Sequence, residues 1–180
     1  MYRDLRSNWV LILVLVSVLV MGCGKVKKQV GLVQKVEYQL LDTMDKVKQI
    51  EEYKQEVASF KEKLTMRQRD SFESAEGGEI RCFYIEKDTV KMEMDYYGET
   101  GRKHLILYQK NGLPVLIEEK TFVYEEPLGI NQTTTISDSL VQQFYFDKQN
   151  LIYWLKEGQH VPSSNYKEKE EELVVFFKRN

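Results

Sequence analysis

Cysteine and histidine are nearly absent from this chain of 180 residues: Cys23, Cys82, His104 and His160 are all there are. Two cysteines cannot build a thiolate metal cluster, and the two histidines have no partners at ligand spacing. A Gly-x-Ser-x-Gly nucleophile elbow is missing. So is a phosphate loop: Gly98-Glu99-Thr100-Gly101-Arg102-Lys103-His104 has two residues between its glycines, and no Ser or Thr follows its lysine. That spacing is a hairpin turn, because a phosphate loop needs about four residues between the glycines and then Lys-Ser or Lys-Thr at a helix start. Charge of one sign is also lacking, with 26 Lys and Arg against 28 Asp and Glu. This is neither a nucleic-acid footprint nor an acidic tail. Strand–helix–strand alternation is absent, which argues against a parallel dinucleotide-binding fold. No catalytic residue, metal or cofactor is assigned on these grounds.

What is there begins with one apolar run, Trp9 to Met21, preceded by Arg3 and Arg6 and closed by Gly22-Cys23. A basic start, a short apolar stretch and a small residue at the cut are the parts of a secretory signal peptide. The competing reading is a transmembrane helix, which needs about 20 apolar residues. The uncharged run from Ser7 to Gly24 approaches that length, but Gly22-Cys23-Gly24 is a poor ending for a helix that must continue.

Leu19-Val20-Met21-Gly22-Cys23 resembles the lipobox of bacterial lipoproteins, with Val20 where leucine is favoured and Met21 larger than usual. The resemblance implies a diacylglyceryl thioether on Cys23, cleavage between Gly22 and Cys23, and acylation of the new amine. One acyl chain binds membranes marginally, whereas two or more anchor durably. Lys25, Lys27 and Lys28 lie directly behind, and each adds about 1 kcal/mol of attraction to anionic lipid near the surface. Gly24 stands where an inner-membrane retention signal would have aspartate, and no acidic run follows. The expected location is therefore the outer membrane, facing the periplasm. Processing would remove Arg3, Arg6 and Asp4 and leave 24 basic against 27 acidic residues. It would also leave Cys82 without a disulfide partner.

From Val26 to about Arg67 there is no proline, and Gly31 is the one glycine. Apolar residues from Val26 through Val33, Leu40, Met44, Val47, Ile50, Tyr53, Val57, Phe60 and Leu64 recur mostly at gaps of three and four. That spacing predicts one long helix, about 60 Å if continuous. A small sheet cannot cover such a length, so residues 23–40 are expected to be a tether and the later part to pack on the domain. After Ser71 the period changes to two. Strands are expected over Ile80–Ile85, Val90–Tyr97, His104–Gln109, Val115–Glu125, Val141–Phe146 and Leu151–Leu155, with Asn111-Gly112 as a hairpin turn. Glu126–Ser139 reads as an irregular excursion. Tyr166–Lys178 reads as a short helix that Ser163 or Ser164 could cap. The expected organisation is a signal peptide at 1–22, a lipidated tether at 23–40 and one domain at 41–180. Its class is α+β: a long N-terminal helix packed on an antiparallel meander of about six strands, with a short C-terminal helix.

Aromatic density on the strands is the one feature above background. If the helix covers one face of the sheet, the other displays tyrosines and a tryptophan, with Tyr97, Tyr108, Tyr124 and Trp154 as the candidate binding face. Against this, aromatics favour strands and stabilise cross-strand pairs in any case. Cys82, mid-strand beside apolar positions, reads as a small buried hydrophobe. Ser74-Ala75-Glu76-Gly77-Gly78, Tyr97-Gly98-Glu99-Thr100-Gly101, Tyr108-Gln109-Lys110-Asn111-Gly112 and Phe144-Tyr145-Phe146-Asp147 together resemble small lipoproteins of the Bacteroidetes type. That likeness supplies no catalytic residues. A helix against a curved antiparallel sheet is also similar to cystatin-like and lipoprotein-carrier architectures, by fold analogy alone. The expectation is a non-enzymatic, lipid-anchored envelope protein that contacts another envelope protein and no nucleic acid. The alternatives are a periplasmic binder of a small apolar or lipid ligand in a sheet concavity, and then a hydrolase.

Overall fold

The computed structural model describes residues 23–60, 62–128 and 135–179. The proposed signal peptide, residues 1–22, lies outside them, as does the centre of the 126–139 excursion. Helix α1 runs Cys23–Ser59 and is followed by β1 (Thr65–Ser71), β2 (Gly78–Ile85), β3 (Asp88–Gly98) and β4 (Gly101–Lys110). Next come β5 (Leu113–Tyr124), β6 (Ile136–Asp147), β7 (Asn150–Lys156), β8 (Gln159–His160) and helix α2 (Tyr166–Arg179). The chain divides into two compact units, Met1–Met44 and Asp45–Asn180. In the first, the last turns of helix expose Leu40, Leu41 and Met44.

The second unit is α+β. Its sheet is a meander in strict sequence order, with every neighbouring pair antiparallel. It has eight strands where the sequence predicted about six. One additional strand is β1. Helical spacing was extended through Arg67, but α1 stops at Ser59, and Phe60 N–H reaches back only to Val57 C=O (3.3 Å). Leu64 still packs on the core, from the turn rather than from the helix. Thr65 then pairs with Tyr84 and Ser71 with Gly78. All of β1 but Ser71 is exposed, so this edge carries no apolar alternation to read. The other is β8. Glu157 (φ 51°) and Gly158 (φ 73°) form the same kind of two-residue turn as Asn111 (φ 54°) and Gly112 (φ 73°). Positive φ at both central positions joins strands without splaying them. Gly158 therefore closes the β7–β8 hairpin.

Only the last four turns of α1, from Asp45 onward, belong to the unit that holds the sheet, and both faces of that sheet are covered. Adjacent residues on one strand point to opposite faces. Leu107, Ile117 and Phe144 join Tyr166 and Leu173 of α2, with Phe176 and Phe177 packed against them. Their neighbours Tyr108, Leu116 and Tyr145 join Val47 and Val57 of α1, with Ile50 and Tyr53. Polar contacts pin α1 as well: Tyr53 Oη donates to Gln109 C=O at 2.5 Å, Tyr145 Oη to Glu51 at 2.8 Å, and Lys54 Nζ meets Glu118 at 2.6 Å. Ser163 and Ser164 lie in a 3₁₀ turn ahead of α2, and Asn165 rather than either serine stands at the cap position.

Candidate functional site

The four aromatics expected on one open face do not share one. Tyr108 is buried beneath α1, and Trp154 packs in the cluster beneath α2 on the other side. Tyr97 is exposed and Tyr124 half-buried. The open tyrosine face fails because each helix covers its own side of the sheet. A cleft around His104 and Cys82 does not form either. Cys82 is half-buried against the α2 cluster, while its strand neighbour Arg81 points the other way, to Asp95 and His104. On that side His104 Nδ1 lies 2.7 Å from Asp95 Oδ1, and Arg81 Nη2 lies 2.9 Å from Asp95 Oδ2 and 3.4 Å from Glu93. Asp95 is thus engaged through both oxygens. Among the described residues no group of His, Cys, Asp and Glu has metal-site geometry.

A site does form where α2 meets the sheet. The α2 helix packs on the sheet's core cluster through Leu173 and Phe176, and the space left open beside them is a groove of ≈ 740 Å³. Tyr96 and Leu105 line it from the sheet, and Leu173, Val175 and Phe176 from the helix. Tyr96 and Phe176 meet edge to face, centroids 6.1 Å apart. The groove is of ligand size, since small-molecule sites run about 300–1,000 Å³.

One polar chain enters this apolar setting. Glu119 is on β5, two residues from Ile117 and so on its buried face, with its side chain only 6% exposed. Its Oε1 accepts from Gln142 Nε2 at 3.1 Å, and Gln142 Oε1 accepts from Trp154 Nε1 at 3.2 Å. Its Oε2 lies 3.6 Å from Lys103 Nζ, and both residues line the groove. A buried carboxylate persists only with such partners. Tyr96 adds a second polar atom. Its hydroxyl is buried, with the side chains of Ser71 and Glu73 beside it. Burial, and next the negative charge of Glu73, push it up from 10.0 to about 12, so it stays a neutral hydroxyl through the physiological range.

No family model, curated protein or solved structure matches the chain.

The groove rim is acidic. Glu168, Glu171 and Glu172 line it from successive turns of α2, and Glu73 from the β1–β2 connection. Phe72, next to Glu73, is 89% exposed. Sequence reasoning missed this site because it left the register of α2 over the sheet open. Glu119 was the available signal, a charge at core parity in a strand. Chemically, the groove offers apolar contact, a hydroxyl and carboxylates. It offers no nucleophile paired with a base.

Proposed function

We propose that the protein is a lipid-anchored component of the cell envelope, held by acyl chains on Cys23, whose folded domain is a non-enzymatic binding module for a small amphiphilic ligand. The observation that carries the binding reading is the groove between α2 and the sheet, ligand-sized and apolar, with buried Glu119 and its partner Lys103 in its lining. This favours the small-ligand alternative over contact through an open sheet face, since the helices occupy both faces. The anchor reading rests on the lipobox-like sequence, on the outer-membrane address implied by Gly24, and on the basic residues that follow. Among the described residues no helix is long and apolar enough to cross a membrane.

A second reading has one observation in its favour. Phe72 stands almost fully exposed beside the groove, as an anchor residue for a protein partner does. Photo-crosslinking in intact envelopes separates the two. A benzophenone side chain placed at Val175 is expected to yield a small mass adduct on the protein. A protein adduct would favour the partner reading. Yield no higher at Val175 than at Val123 would remove the groove as the binding site.

A further inference from the structure

We propose that the groove selects an organic cation with an apolar body, an amine carried on an aryl or alkyl chain. The proposal rests on the reading that the groove is the binding site, and adds the charge of its occupant. Five carboxylates line it, those of Glu73, Glu119, Glu168, Glu171 and Glu172, against the single ammonium of Lys103. The whole chain carries a formal charge of only −2, so this acidity is local to the groove. Part of it is already answered: Glu172 holds Lys169 at 2.9 Å, and Glu119 is satisfied by Gln142 and Lys103. Glu168 and Glu171 make no ion pair among the described residues, and both face the groove from α2.

An anionic ligand would meet these carboxylates with repulsion between like charges. A cation would be drawn in by the same field. A cation alone is not enough, because the walls are Leu105, Leu173, Val175 and the rings of Tyr96 and Phe176. Those walls gain only from an apolar body that displaces water. The Tyr96 hydroxyl, beside Ser71 and Glu73, adds a polar atom to the same wall, and its oxygen can accept from an ammonium N–H.

The test titrates the full chain, held in nanodiscs of neutral phosphatidylcholine, with three probes. Phenylbutylammonium has charge and body, phenylbutyrate has the same body with opposite charge, and spermidine has charge without the body. Methyl resonances of Leu105, Leu173 and Val175 report binding. The expected result is saturable shifts with phenylbutylammonium, at least about tenfold tighter than with either other probe. Glu168→Gln combined with Glu171→Gln should weaken it about threefold to tenfold, with the melting temperature unchanged. Equal or tighter binding of phenylbutyrate, or of spermidine, would overturn the cation-plus-body proposal and leave the groove itself standing. An unchanged affinity in the double variant would overturn the assignment to those two carboxylates. No shift with any probe would overturn the proposal, and the Val175 crosslink then decides separately whether the groove binds anything.

Discussion

Glu119 shows how one residue links stability to the site. Its carboxylate is the acceptor for Gln142 and the counter-charge for Lys103. Removing it leaves a buried amide donor unpaired, which costs about 1–3 kcal/mol. Glu119→Ala is therefore expected to lower the melting temperature clearly, and Glu119→Gln, which keeps an acceptor oxygen, much less. Tyr96, Tyr108 and Tyr145 make a second prediction. Burial raises all three hydroxyls above their ordinary 10.0, Tyr96 and Tyr108 to about 12, and for Tyr145 the hydrogen bond to Glu51 adds to it. Below pH 10 both folded and unfolded chains keep these protons, so they add no pH dependence. Between about pH 10 and 12 the unfolded chain releases them first, so stability falls as pH rises. A spectrophotometric titration should show these tyrosines ionising together with unfolding, and a gradual titration near pH 10 with the fold intact would contradict their burial. At Cys23 the anchor reading is tested directly. Cys23→Ser should give an unprocessed precursor that incorporates no labelled fatty acid, and a variant still cleaved and labelled would contradict it.

Among the elements, α1 divides at the boundary between the two units. Val57 is 1% exposed beneath the sheet, whereas Leu41 in the first unit is 62% exposed. Val57→Asp should destabilise the domain by about 3 kcal/mol or more, since it loses a buried apolar side chain and forces a charge into its place. Val26→Asp and Val30→Asp, which lie in the first unit, should shift the thermal midpoint little. The β4–β5 hairpin carries a contrast of its own. A methyl added at Gly101 would sit 2.2 Å from the Phe122 carbonyl oxygen, while one at Gly112 would meet nothing. Gly112→Ala costs only its positive φ, about 1–2 kcal/mol. Gly101→Ala must also push two strands apart, and denaturant midpoints should rank it as the more damaging. The six long strands were legible because Val90, Met92 and Met94, or Leu105 and Leu107, bury alternate positions. Thr65–Ser71 was not legible, since an exposed edge strand is held by backbone bonds to β2 and needs no apolar pattern. The groove was hidden for a different reason. Glu168, Glu171 and Glu172 read as an acidic helix start, and only the packing of Leu173 and Phe176 on the sheet turns them toward Tyr96 and Glu119.

At the scale of the whole molecule, an eight-stranded meander with a helix packed on each face leaves little sheet surface for binding. One open space lies beside α2. The acidic rim, the apolar walls and buried Glu119 with its partner Lys103 meet there, in a domain that the lipobox-like start would hold at a membrane. Native mass spectrometry of the full chain, isolated gently from the cells that make it, tests that account most directly. The account predicts a bound small molecule that is lost when Val175→Trp and Leu105→Phe fill the groove while the thermal midpoint is retained. A wild type whose mass shows no bound molecule, as for the filled variant, would contradict it.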